Sequence, residues 1–292
     1  MSSKDELRLA LHDASEIEHQ LMLLYLYAAF SLKKVPDETC NRAQLEAVRR
    51  WGSHLYMVSR QEMEHLALVQ NLLLGVGEKP FFYRPNLPVI SHYFKADSLM
   101  SKGTENMRPV TLPYQLSGFN FQTLQRFVCY ESPGYQAFED SPEELPCWCF
   151  QSDGDEMPAH AAQTHDHPIA PSHLGEDRLE GIDPSREAAA GLIVVLYEHV
   201  EAILERHPEF FLSAPAGVGA IPSQYNIYLF PVTGMSSAKA AIDLILKQGE
   251  GAHAQPFYQS HFSQYMDMLK EYQELLDQDP SFEPAYPVLE GV

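Results

Sequence analysis

The stretch Leu55-Tyr56-Met57-Val58-Ser59-Arg60-Gln61-Glu62-Met63-Glu64-His65-Leu66-Ala67-Leu68-Val69 decides the reading of this chain. Leu55, Val58, Leu66 and Val69 recur at steps of three and four, which lines one face of an α-helix. Glu62 and His65 fall inside that apolar stripe, three residues apart, while Glu64 is expected to point outward. A carboxylate in an apolar helical face costs several kcal/mol unless it is paired or bound to a cation. Glu62 and His65 on one inward face are therefore an anomaly that chemistry must resolve.

Around this stretch, the periodicity predicts a helix over 42–75, carrying Trp51, Leu72 and Leu73 as well, with Gly75 and Gly77 as stop signals. Before it, residues 5–33 read as another helix through Leu7, Leu11, Ala14, Leu21, Tyr25 and Ala28, ended by Pro36-Asp37. The anomaly repeats there. Glu16 and His19 are expected opposite the apolar stripe, but Glu18 steps in register with Leu11, Ala14, Leu21 and Tyr25. The short connection makes the two helices an antiparallel hairpin. Tyr25 is read as core packing.

Residues 78–118 lose helical period and are rich in Pro, Tyr and Phe, so loops and short strands are expected. Helical spacing returns over 119–131 through Phe121, Leu124, Phe127 and Val128. Residues 134–184 are irregular and read as a long surface excursion. A third long helix is expected over 185–206, closed by Pro208. A fourth spans 236–276 and is interrupted at 250–260 by Gly249-Glu250-Gly251. The expected architecture is one all-α domain over 1–292: four long helices in two hairpin pairs, a four-helix bundle with loop-rich insertions 78–118 and 134–184.

A bundle of this outline holds two metal ions when two helices each give a Glu and the other two each give a Glu/His pair. Glu18 and Glu62-x-x-His65 supply half of that set. In the fourth helix Glu250 follows Ile242 and Leu246 at steps of four. His261 opens the next segment on the face of Tyr265, Met268, Leu269 and Tyr272, so this Glu/His pair is split by about ten residues. For the remaining carboxylate, Glu131 follows Leu124 and Val128 on an apolar face. Glu198 lies in the third long helix but to one side of its core face, and is kept as the alternative. Oxygen and imidazole donors suit iron, with manganese as the alternative ion.

These residues carry a resemblance. Glu18-His19 leading to Tyr25-Leu26-Tyr27-Ala28, and Glu62-Met63-Glu64-His65-Leu66-Ala67-Leu68, resemble the ferritin-like domain of iminophenyl-pyruvate dimer synthases. The likeness continues at Arg126-Phe127 through Glu131-Ser132-Pro133, at Gln248-Gly249-Glu250-Gly251 and at Ser260-His261-Phe262. It sets aside only about 134–184, and it departs from the family pattern just before Tyr197, where Val194 and Val195 stand. The resemblance implies a ferritin-like fold, a split Glu/His pair as a family trait, Glu131 as a ligand and a dinuclear metal site. Those synthases act in bisindole pigment and alkaloid biosynthesis and are far larger proteins, so the same reaction is not implied. The expected function is that of a di-iron carboxylate enzyme, two Fe ions using O2 to oxidise a small, amino-acid-derived substrate. Iron storage and a metal-free interaction module are the alternatives.

Composition limits the partners. The chain has 40 acidic and 20 basic residues among 292, a formal net charge of −20. Nucleic acid binding needs the opposite balance, and an anionic membrane is disfavoured for the same reason. The longest apolar runs, Leu21–Phe30 and Ala188–Tyr197, have about ten residues, against the about 20 of a spanning helix. Cys40, Cys129, Cys147 and Cys149 form neither a CxxC nor a disulfide framework. A reduced, cytoplasmic protein is expected, with a small-molecule substrate and O2 as partners and a homodimer as the candidate assembly. His160, His165, His167 and His173 lack an apolar scaffold and are read as a solvated loop.

Overall fold

The computed structural model describes residues 2–84, 86–87, 89–90, 113–131, 192–213, 227–249 and 260–288. Helix α1 spans Ser3–Ser31 and α2 spans Arg42–Gly75. Both begin in capping boxes: Ser2 accepts from the Asp5 amide, and Asn41 from the amides of Ala43 and Gln44. Each satisfies backbone donors that the first turn leaves orphaned. The two helices run antiparallel. At one end Gln70 Nε2 donates to Ser15 Oγ at 2.8 Å. At the other, a Cβ added at Gly52 would stand 3.3 Å from a Leu32 methyl, so the missing side chain is what allows the close approach.

Two-residue strands β1, Val89–Ile90, and β2, Pro113–Tyr114, pair antiparallel, with Val89 opposite Tyr114. Helix α3, Phe121–Tyr130, follows with Asn120 as its cap. Helix α4 is Leu192–Arg206, a shorter span than the expected 185–206, whose first residues lie outside the described ones. Helices α5, Met235–Gln248, and α6, His261–Gln278, are the two parts of the expected interrupted helix.

Contacts along α2 fix the order of α5 and α6. Asn71 Nδ2 donates to the Phe230 carbonyl at 2.8 Å, His65 meets Gln248, and Gln61 meets His261. Trp51 Nε1 then donates to Glu271 Oε2 at 2.8 Å, and Gln44 Nε2 to Asp279 Oδ2 at 3.0 Å. The α2 numbers fall as the partner numbers rise, so α5 and α6 form one antiparallel column beside α2. Beside α1 and that column, α3 and α4 likewise stand in tandem, α3 packed on α6 and α4 on α1 and α5. Phe121 sits edge-on to Tyr272 at 5.4 Å at the far end, while Glu131, the C-cap of α3, receives the Tyr25 hydroxyl. Helix α4 starts from that level, where Tyr197 reaches Glu18, and ends near Lys239, which pairs with Glu201 at 3.0 Å and with Glu205. Segment 132–191 therefore separates the two parts of one column.

The core runs through the bundle and includes Trp51, Tyr25, Tyr197 and Tyr265, all fully buried. The C-terminal segment closes one end: Lys33 N donates to the Pro284 carbonyl at 2.9 Å and Tyr286 N to the Ser31 carbonyl at 2.8 Å. No helix among the described residues is long and apolar enough to cross a membrane.

Candidate metal centre

Both broken columns break at one level, and five chemistry-bearing side chains meet there. Glu18, Glu62 and His65 form one group of converging donor atoms; Glu62, Glu131 and His261 form a second. All five are buried. His65 Nδ1 lies 3.4 Å from Glu18 Oε2 and 3.5 Å from Glu62 Oε2. His261 Nδ1 lies 2.7 Å from Glu62 Oε1 and 3.5 Å from Glu131 Oε2. Glu62 thus divides its two oxygens between the groups, and the imidazole rings stand face to face, 5.6 Å apart.

The far side of each ring is fixed. His65 Nε2 meets Gln248 Oε1 at 2.9 Å, and His261 Nε2 meets Gln61 Oε1 at 3.2 Å. An amide oxygen there accepts an Nε2–H, which leaves the Nδ1 lone pair for the carboxylate side, the usual support of a metal-ligating histidine. Glu62 Oε1 and His261 Nδ1 test the fit. They are 2.7 Å apart, yet the pair does not meet the alignment of a regular hydrogen bond. Two buried lone-pair donors that approach without hydrogen-bond alignment are placed as two ligands of one cation are. The donor set, carboxylate oxygen and imidazole nitrogen, fits iron or manganese.

Electrostatics without a cation point the same way. Burial pushes the Glu18 carboxyl up to about 7, against the pull of His65. Burial also raises Glu131, and the neighbouring Glu62 charge adds to it. Burial would raise Glu62 too, but the charge of His261 beside it holds it well below the usual carboxylate range. Burial would lower His261, but the charges of Glu131 and Glu62 outweigh it and bring it up to about 9. His65 rises well above its ordinary value, as Glu18 and Glu62 outweigh its own burial. Protons on the imidazoles thus hold the place that cations would take.

Of the residues singled out in the sequence, Glu18, Glu62, His65, Glu131 and His261 come together. Glu198 is exposed on α4, and Glu250 lies outside the described residues, as do Cys147, Cys149, His160, His165, His167 and His173. Replacing Glu198 with Gln is accordingly expected to leave metal stoichiometry and affinity unchanged in a calorimetric titration.

Two outward assignments are corrected. Glu64 is buried, on a flank of α2 where the Tyr228 backbone and Gln248 bond it. Glu16 is buried as well and accepts from Gln20 Nε2 at 3.1 Å. Sequence periodicity misses Gln61 and Gln248 as supports and Tyr197 as a hydroxyl donor to Glu18 at 2.5 Å. Tyr25 does pack, edge-on to Phe127 at 4.6 Å, but its hydroxyl also donates to Glu131 Oε1. Tyr265, which periodicity identifies only as a core residue, is fully buried with its hydroxyl beside that of Tyr25, and it finds no well-aligned acceptor among the described residues.

Comparison with known proteins gives three findings. A family model described as Ferritin-like matches residues 11–270. Among curated proteins, the chain is 28% identical over 312 aligned positions to dichlorochromopyrrolate synthase of Lentzea aerocolonigenes, covering 99% of this chain and 27% of that protein. It is 30% identical over 151 positions to 2-imino-3-(indol-3-yl)propanoate dimerase of Chromobacterium violaceum, covering 46% of this chain and 14% of that one. The chain thus spans about a quarter or less of the length of these relatives. Among solved structures, a ferritin-like protein of Caulobacter vibrioides superposes with a TM-score of 0.54 at 16% identity, over 98% of this chain and 76% of that one.

Proposed function

The chain belongs to the ferritin-like family, and on that footing we propose that it is a dinuclear metal oxidoreductase that uses O2 to oxidise a small, amino-acid-derived substrate. The observation that carries this reading is the division of Glu62, with Oε2 toward His65 and Oε1 toward His261. One ion would be held by Glu18, Glu62 and His65, the other by Glu62, Glu131 and His261, iron before manganese. Glu250 is proposed as a further carboxylate ligand. In support, a Cβ added at its neighbour Gly249 would lie 3.3 Å from Glu131 Oε2. The substrate class follows the relatives, one of which is a dimerase of 2-imino-3-(indol-3-yl)propanoate.

Bound there, a pair of iron ions supplies the one-electron and O2 chemistry that side chains lack. The protein's share is to orient and to protect. Gln61 and Gln248 fix the rings, and burial excludes bulk water from the donor atoms. The Tyr265 hydroxyl is a buried donor with its proton uncommitted among the described residues, so it can hydrogen-bond a group that enters beside Glu131. Tyr265→Phe keeps the ring contacts with Tyr25 and Phe127. It is expected to lower kcat by about 100-fold, the low end for a positioned proton donor, and to leave metal stoichiometry unchanged in the same preparation.

The direct test is anaerobic loading with Fe(II) followed by exposure to O2. Binding of two equivalents and an O2-dependent optical change support the proposal. Binding of less than one equivalent overturns it, and a cage-sized assembly that stores iron without turning over a substrate favours the storage alternative.

A further inference from the structure

The two terminal carboxylates are treated alike, and the shared one differently. Tyr25, from α1, donates its hydroxyl to Glu131 Oε1, which leaves Oε2 to face His261. Tyr197, from α4, donates to Glu18 Oε1 at 2.5 Å, which leaves Oε2 to face His65. Glu62, by contrast, accepts from no tyrosine among the described residues, and its Oε2 and Oε1 face His65 and His261. Both tyrosines are fully buried, so neither hydroxyl can exchange its partner for water, and once a cation keeps the carboxylate ionised each bond would have a charged acceptor, the strong kind.

We propose that Tyr25 and Tyr197 are a matched pair of positioning residues that tie one oxygen of Glu131 and of Glu18, so that each terminal carboxylate offers a metal ion a single oxygen while Glu62 offers both of its own. This rests on the two-ion reading above. A carboxylate free to turn could close on one ion with both oxygens; a buried phenol on Oε1 would oppose that turn. The tyrosines act from different helices and on different ions, so their effects separate. Tyr25 governs the ion on the His261 side, and Tyr197 the ion on the His65 side.

The experiment titrates Co(II) into the whole protein, following affinity by calorimetry and ligand geometry by visible absorption, with thermal unfolding measured on the same samples. Phenylalanine keeps either ring in place. Tyr25→Phe is expected to change the affinity of one of the two ions by about 10–100-fold, the range for a residue that orients a ligand, and to alter the Co(II) spectrum of that ion alone. Tyr197→Phe does the same to the other ion, and the double variant combines the two. Unchanged affinities and spectra overturn the proposal. So does equal weakening of both ions by either variant together with a lower Tm, the mark of a merely structural role. Where the wild-type protein binds two equivalents, such results overturn the clamp alone. A wild-type protein that takes up no Co(II) overturns the two-ion reading as well.

Discussion

Glu62→Ala is expected to abolish binding of both metal ions, whereas Glu18→Ala and Glu131→Ala each abolish one. The difference follows from the two donor groups, which share Glu62 and nothing else. Removing a residue that only orients a ligand costs about 10–100-fold in metal affinity. In the proposed two-ion site Glu62 would be a ligand to both ions, so the loss is expected to exceed about 100-fold for each. Metal analysis and calorimetric titration read the result as a fall from two equivalents to none. Retention of one equivalent at wild-type affinity by Glu62→Ala would show that the carboxylate is not shared.

The same variant bears on stability without metal. Glu62 stands between His65 and His261 and offsets their charge. Breaking a buried ionic arrangement by removing one partner costs about 3–5 kcal/mol, less whatever the imidazoles recover by releasing protons. Glu62→Gln keeps the volume and removes the charge. A similar fall in Tm for Gln and Ala would assign the loss to charge rather than to a cavity.

Much of this centre is legible in the spacing of the residues alone. Glu18, Glu62 and His65 betray themselves because each interrupts an apolar stripe at helical spacing, and a stripe reports burial directly. Glu131 shows the same signal after Leu124 and Val128. What periodicity cannot report is the partner of a buried group. Tyr25 and Tyr197 look like ordinary core residues, since a phenol ring fits an apolar stripe and its hydroxyl leaves no trace in spacing. Gln61 and Gln248 sit beside the stripe and are informative only once α2, α5 and α6 are side by side. Glu64 escapes the pattern for a related reason. A stripe assumes one buried face, but α2 is flanked by α1 on one side and by α5 with α6 on the other, so its buried arc is wide enough to take in Glu64. The tandem order of α3 and α4 is hidden by the segment 132–191 between them, most of which reads as an excursion and gives no sign that the helices on either side share a column.

Without metal, the protein is expected to lose stability as pH rises from about 5 to 9, and with metal to gain it. The sign follows from which state holds more protons. The Glu18 carboxyl has an ordinary value of 4.5 and is pushed by burial up to about 7 in the fold. The His261 imidazole has an ordinary value of 6.5 and rises, against its burial, to about 9 through the charges of Glu131 and Glu62. For both groups the folded state binds the proton more tightly than the unfolded one. The stabilisation is complete below the unfolded value and is lost as pH passes through the folded value. Glu18 therefore acts between 4.5 and about 7, and His261 between 6.5 and about 9. Glu62 is shifted downward and has the opposite sign, but its contribution is lost only as pH falls below its ordinary 4.5, outside this window. Each tenfold gain in proton affinity on folding corresponds to about 1.4 kcal/mol, and both groups act in the same direction. For a chain of this size even about 1–2 kcal/mol is read as a fall in Tm of a few degrees. Cations reverse the trend, because they take the sites from protons and bind more tightly as the imidazoles and carboxyls deprotonate, and ligand binding raises stability by mass action. Thermal unfolding of chelator-treated and metal-loaded protein across about pH 5 to 9 should give curves of opposite slope. Parallel curves would show that the protons bound by this cluster and the metal do not compete for the same atoms.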